Sequence, residues 1–116
     1  MRIIILEDNA DRRACMSSVL ADMLPEFVVE YFVTSREMID YLSRTGLYDV
    51  ALISLDNDLD MIESEDGQLI DSGDGVEVAK WLTTQPAVAP VVIHTTNIEA
   101  GRQMEIYFDL YGWVSS

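Results

Sequence analysis

Two short acidic motifs stand directly after runs of strand-forming residues: Glu7-Asp8 after Ile3-Ile4-Ile5-Leu6, and Asp56-Asn57-Asp58 after Val50-Ala51-Leu52-Ile53-Ser54-Leu55. If the two strands are neighbours in a parallel sheet, the four carboxylates of Glu7, Asp8, Asp56 and Asp58 converge on one sheet edge. Like charges a few Å apart raise one another's pKa or recruit a cation. Hard divalent ions with oxygen ligands, Mg²⁺ or Mn²⁺, suit two or three carboxylates, so Glu7, Asp8 and Asp56 are candidate metal ligands. The bland alternative makes each acidic group a helix cap or a solvated charge. Capping accounts for one residue per loop and not for the doubling.

The elements that must position these groups alternate in type. Ile3 to Leu6 reads as a buried first strand, and Asp8 or Asn9 can cap a helix from Ala10 to Leu24 that Pro25 stops. Phe27 to Val33 reads as a second strand. Thr34 with Glu37 forms a capping box for a helix closed by Gly46. Tyr48 to Leu55 is a third strand, apolar enough to be covered on both faces. Residues 59–73 are acidic, contain two glycines and lack periodicity; a connection of that length suits a functional or lid segment. Asp74 and Glu77 repeat the capping pattern for a third helix through Leu82. Val91 to His94 reads as a fourth strand, Thr96 with Glu99 as the cap of a last helix, and Gly112-Trp113-Val114 as a truncated fifth strand.

Alternation of strand and helix predicts an α/β fold, a three-layer doubly wound parallel sheet of strand order 2-1-3-4. In such a sheet ligands sit beyond the carboxyl ends of the strands, where the order reverses. That order makes strands one and three adjacent and gathers Glu7, Asp8 and Asp56, with Thr95 beside them.

With 116 residues, 49% of them apolar, and no linker-like tract, the chain reads as one domain. A net charge of −14 with only seven Lys and Arg argues against a basic face for duplex nucleic acid or an anionic membrane. Phosphate-bearing ligands, whether small molecules or nucleic-acid ends, would have to be recruited through a metal. The single Cys15 excludes an internal disulfide and falls in a helical pattern where packing is its expected role. Neither a signal peptide nor a membrane span is supported, which leaves the cytoplasm as the default expectation.

Leu6-Glu7-Asp8-Asn9 followed by Arg12, Asp56 after an apolar strand, and Thr95 after Val91-Val92-Ile93-His94 resemble the response-regulator receiver fold (flavodoxin-like). The resemblance implies Glu7 and Asp8 as metal ligands and Asp56 as phosphoacceptor or third ligand. Receivers also carry a lysine after strand five, whereas the one lysine here, Lys80, falls inside the third helix. Ser54 to Leu59, Gly73 to Leu82, His94-Thr95-Thr96-Asn97 with Gly101-Arg102 and Met104, and the closing Gly112-Trp113 are more closely similar to the receiver-derived family proposed to process cyclic phosphates. That resemblance adds Asp58, His94, Asn97 and Arg102 to the pocket.

Phosphodiester hydrolysis needs a metal, a proton carrier and a cationic or hydrogen-bonding clamp. Glu7, Asp8 and Asp56 suit the first and His94 the second. Arg102 and the helix N-terminus near Asn97 suit the third. Each has a plainer reading: His94 as a structural hydrogen-bonder, Arg102 as a surface partner of Glu99, Asn97 as a cap. An EF-hand is excluded, because Met61 and Gly67 stand where that loop needs glycine and glutamate. Three functions remain: a metal-dependent phosphoesterase acting on cyclic phosphates; a receiver-type phosphoacceptor or degenerate receiver binding a protein partner through Tyr107, Tyr111 and Trp113; and an acidic interaction module.

Overall fold

The computed structural model describes residues 1–116. Its elements are β1 (Arg2–Leu6), α1 (Ala10–Met23), β2 (Val28–Phe32), α2 (Ser35–Thr45), β3 (Val50–Leu55), β4 (Ile62–Glu63), β5 (Leu69–Ile70), α3 (Gly75–Leu82), β6 (Val91–Ile93) and α4 (Ile98–Leu110). The main sheet is parallel, in the order β2-β1-β3-β6. This is the doubly wound architecture expected from the sequence. Past the last helix, Ser115 forms a single parallel bridge to Val91, so the fifth strand is one rung long.

Side-chain alternation divides the sheet into two unequal faces. Ile4, Leu6, Ile53, Leu55 and Val91 point to one face and are fully covered by Met38 and Leu42 of α2, Val78 and Leu82 of α3, and Met104 and Phe108 of α4. Ile3, Ile5, Leu52, Ser54 and Val92 point to the other, where they line an apolar hollow of about 300 Å³ with Cys15, Met16, Val19 and Leu20. Right-handed crossovers explain the imbalance. The step from β1 to β2 runs one way across the sheet, the three later steps run the other, and α1 is left alone on its face.

Several local expectations need correction. Cys15 is exposed, as is Val19, because α1 has no neighbouring helix to close over that side. The cap of α4 is Asn97, whose Oδ1 accepts from Ala100 N–H, rather than Thr96. Trp113 is not surface aromatic: it is buried, with its ring 5.9 Å from that of Phe108, while Tyr111 stays exposed. Within residues 59–73 a two-stranded antiparallel hairpin forms from β4 and β5. No helix is long and apolar enough to cross a membrane.

Half of the capping box expected at α2 forms: Thr34 Oγ1 accepts from Glu37 N–H at 3.1 Å, while the Glu37 carboxylate makes no return bond to Thr34 N–H. That cap directs Met38 and Leu42 into the core, and neither is more than 1% exposed. Thr34→Ala is expected to lower stability by about 1 kcal/mol, read as a shift in the urea midpoint at unchanged slope. An unchanged midpoint would mean that the hydroxyl contributes nothing there.

Candidate metal and phosphate site

Sheet register builds the site. Leu6 pairs with Leu55, and Leu55 with Ile93, so the residues that follow them, Glu7, Asp56 and His94, continue one row across three strands. The ladder runs one step beyond the strands: Asp56 N–H donates to Leu6 O (3.1 Å) and His94 N–H to Leu55 O (2.9 Å). Alternation then turns all three side chains to the α1 face. Their ligand atoms lie within 4.8 Å of one another.

Glu7 is fully buried. Burial works to raise its pKa, but hydrogen bonds from Arg12 and Asn9 N–H outweigh that and hold the carboxyl below its ordinary value. Asp56, also buried, is pushed up to about 6, by burial first and then by the charges of Glu7 and Asp8. Asn57 N–H donates to its Oδ1 (2.8 Å). Its Oδ2 has only Arg12, at 3.6 Å. His94 Nδ1 lies 2.8 Å from Ser54 Oγ, and Nε2 lies 3.3 Å from Glu7 Oε1, too poorly aligned for a hydrogen bond. Burial lowers the imidazole pKa, so the ring is neutral at pH 7.

A divalent cation fits this donor set. Two carboxylates and an imidazole converge, the buried Nε2 of His94 has no hydrogen-bond partner, and one oxygen of Asp56 has no hydrogen-bond donor. Ser54 Oγ can accept from Nδ1–H, which would leave the Nε2 lone pair free for a metal, the usual support for a ligating histidine.

The other predicted residues are distributed around this centre. Asp8 is mostly buried, and its Oδ2 accepts from Asp60 N–H, between β3 and β4, at 2.7 Å. Asp58 is exposed, and its Oδ1 accepts from Asn57 Nδ2 (3.0 Å) and Asn97 Nδ2 (3.3 Å). Asn97 thereby caps α4 and ties it to the loop after β3. Thr95 Oγ1 accepts from Asn97 N–H (3.1 Å). Arg102 is exposed on α4 beside Ile98, Glu99, Gln103 and Ile106, and forms no ion pair with Glu7, Asp8 or Asp56. Lys80 lies over the Tyr107 ring (5.7 Å), away from the acidic row.

Arg12 and Ser54 are the residues that sequence reasoning did not place. Arg12 donates from Nε to Glu7 Oε1 (2.9 Å) and from Nη2 to Glu7 Oε2 (3.0 Å), a bidentate pair. Arg13 Nη1 donates to Glu7 O (2.9 Å). The i,i+4 spacing of Asp8 and Arg12 was the available signal for a cation at the pocket.

Comparison with known proteins agrees with this fold. Residues 2–109 match the model of the cyclic-phosphate processing receiver domain. No curated protein sequence matches the chain. Among solved structures, the phosphorylated cyanobacterial phytochrome response regulator RcpA is similar at TM-score 0.70 and 22% identity, over 98% of this chain and 74% of that one. The response regulator domain of Thermotoga maritima CheB is similar at TM-score 0.65 and 17% identity, over 99% and 75%. The N-terminal domain of a response regulator/sensory box/GGDEF 3-domain protein from Carboxydothermus hydrogenoformans is similar at TM-score 0.63 and 19% identity, over 97% of each chain. At these identities the structures establish a shared fold.

Proposed function

The chain belongs to the cyclic-phosphate processing receiver domain family, and from that premise we propose that it is a metal-dependent phosphoesterase that binds and opens a cyclic phosphate ester at the carboxyl end of β1, β3 and β6. The observation that carries this reading is the convergence of Glu7, Asp56 and His94. Glu7 and Asp56 would hold Mg²⁺ or Mn²⁺, with His94 or Asp8 completing the set. Bound there, the ion neutralises phosphoryl oxygens and lowers the pKa of water.

The chain's own residues supply the rest. Where Asp8 rather than His94 completes the metal set, His94, neutral and braced by Ser54, keeps its Nε2 lone pair and can take a proton. Asp58, outside the row and exposed, can exchange one with the leaving oxygen. Thr95, Asn97 and the first turn of α4 present hydrogen-bonding groups near the mouth. Arg102 is the flanking cation on that helix. The phosphoacceptor alternative has less support, because the one lysine lies over Tyr107 rather than beside Asp56.

A panel of cyclic phosphodiesters, including 2′,3′-cyclic nucleotides, assayed with and without Mg²⁺ or Mn²⁺, tests the proposal. Metal-dependent opening of at least one substrate is expected, falling at least about 100-fold in Asp56→Asn and His94→Ala. Absence of metal-dependent turnover, together with an acetyl-phosphate adduct lost in Asp56→Asn, would establish the phosphoacceptor instead.

A further inference from the structure

We propose that Arg12 is a tethered cation that occupies the metal's place in the acidic row and must leave it for a divalent ion to bind. This rests on the metal half of the function proposed above and adds its regulation. The Arg12 guanidinium reaches three carboxylates at once: Glu7 through two hydrogen bonds, Asp56 at 3.6 Å and Asp8 at 3.9 Å. Both oxygens of Glu7, the most buried carboxylate, are spent on it. A metal ligated by Glu7 would have to draw on those same oxygens, and repulsion between the ion and a guanidinium held at contact distance opposes their sharing the carboxylate.

The position of Arg12 is unusual for a residue with no role at the row. It sits in the first turn of α1, where the helix N-terminus disfavours cations, and its own N–H is already committed to Asn9 Oδ1. Its side chain is nevertheless 57% exposed, while Glu7 is fully enclosed. A guanidinium with that much solvent access can swing outward without disturbing packing. Released, it stands at the rim of the pocket with its planar fork free, a geometry suited to phosphoryl oxygens. The same side chain would thus neutralise the row in the absence of metal and grip an anion once the metal is in.

Calorimetric titration of Mg²⁺ into the parent, Arg12→Gln and Arg12→Lys tests this without any substrate. Arg12→Gln is expected to bind Mg²⁺ about tenfold more tightly than the parent, within the range ordinary for coupled ligands. Arg12→Lys, which keeps a charge but loses the bidentate fork, falls between them and remains informative if the glutamine variant folds poorly. Thermal melts should agree, with saturating Mg²⁺ raising the melting temperature of Arg12→Gln more than that of the parent. Parent binding with no gain in either variant overturns the role of Arg12 and leaves the metal site standing. If none of the three binds Mg²⁺ or Mn²⁺, the metal site itself falls, and the role of Arg12 with it.

Discussion

Asp56→Asn is expected to make the metal-free protein more stable at pH 7.5, by about 3 kcal/mol, although it removes the residue most central to the proposed chemistry. The folded-state pKa of Asp56 is about 6, against an ordinary value of 3.8. Between those values the folded state binds more protons than the unfolded one, so stability falls as pH rises from about 4 through 6 and the loss is complete above about 7. Asparagine keeps the acceptor for Asn57 N–H and carries no charge beside Glu7 and Asp8. Two other groups shape the parent curve. Glu7, held below 4.5, contributes stability that is lost only as pH falls beneath that value. His94, held below 6.5, contributes stability that grows as pH rises through its own lowered range up to 6.5 and is complete above it. Both remain in the variant, so to first order the difference between the two curves isolates Asp56.

The check is chemical denaturation of both proteins from pH 4 to 8 in chelator. The curves should nearly meet at pH 4 and separate by pH 7.5. Saturating Mg²⁺ should then reverse the order, because an ion bound by Asp56 stabilises the parent and not the variant. Parallel curves across the range would mean that neither burial nor the neighbouring carboxylates disfavour the charged form of Asp56, and the electrostatic case for a cation would be lost.

The sequence makes the frame of this site legible and hides its occupant. Glu7, Asp56 and His94 each follow an apolar strand, and parallel register converts that shared position into proximity. Strand order follows from the crossover rule, which needs no side-chain detail. What escapes is whatever depends on side chains reaching across elements. Arg12 lies in the first helix, whereas the receiver pattern puts its compensating cation, a lysine, near the far end of the chain, where this sequence has none. Asp8 looks equivalent to Glu7 in the motif, yet its Oδ2 is committed to Asp60 N–H in the irregular segment between β3 and β4, which has no periodic pattern to announce it. Cys15 and Trp113 err in opposite directions for one reason. The helical face carrying Cys15 meets a sheet face that α1 covers alone, whereas Trp113 lands on Phe108, on the face packed by three helices.

Gly75→Ala is expected to lower stability by about 3 kcal/mol and to weaken Mg²⁺ binding besides. Gly75 opens α3, and its N–H donates to Asn57 O at 3.1 Å while Val76 N–H donates to Asn57 Oδ1 at 3.2 Å. These bonds clamp the loop carrying Asp56 onto the start of the helix, a seam continued by the Asp58–Asp74 bridge. A methyl group at position 75 would stand 2.1 Å from Asp56 O and 3.0 Å from Asn57 Cα. Both contacts are backbone, so no rotamer change can relieve them. Either α3 retreats from the core, where Val78 and Leu82 are fully buried, or Asp56 moves off the row it shares with Glu7 and His94. Gly101→Ala is the matched control. It lies within α4, its added methyl would meet only side-chain carbons, the nearest being Thr95 Cγ2 at 3.3 Å, and helix propensity favours alanine there by about 1 kcal/mol. Melting temperatures and Mg²⁺ titrations of the two variants separate a local clash from a general effect of alanine. A Gly75→Ala protein as stable as the parent and binding Mg²⁺ as well would show that the loop after β3 is free to shift, and that the row of Glu7, Asp56 and His94 is not held by the packing of α3 against it.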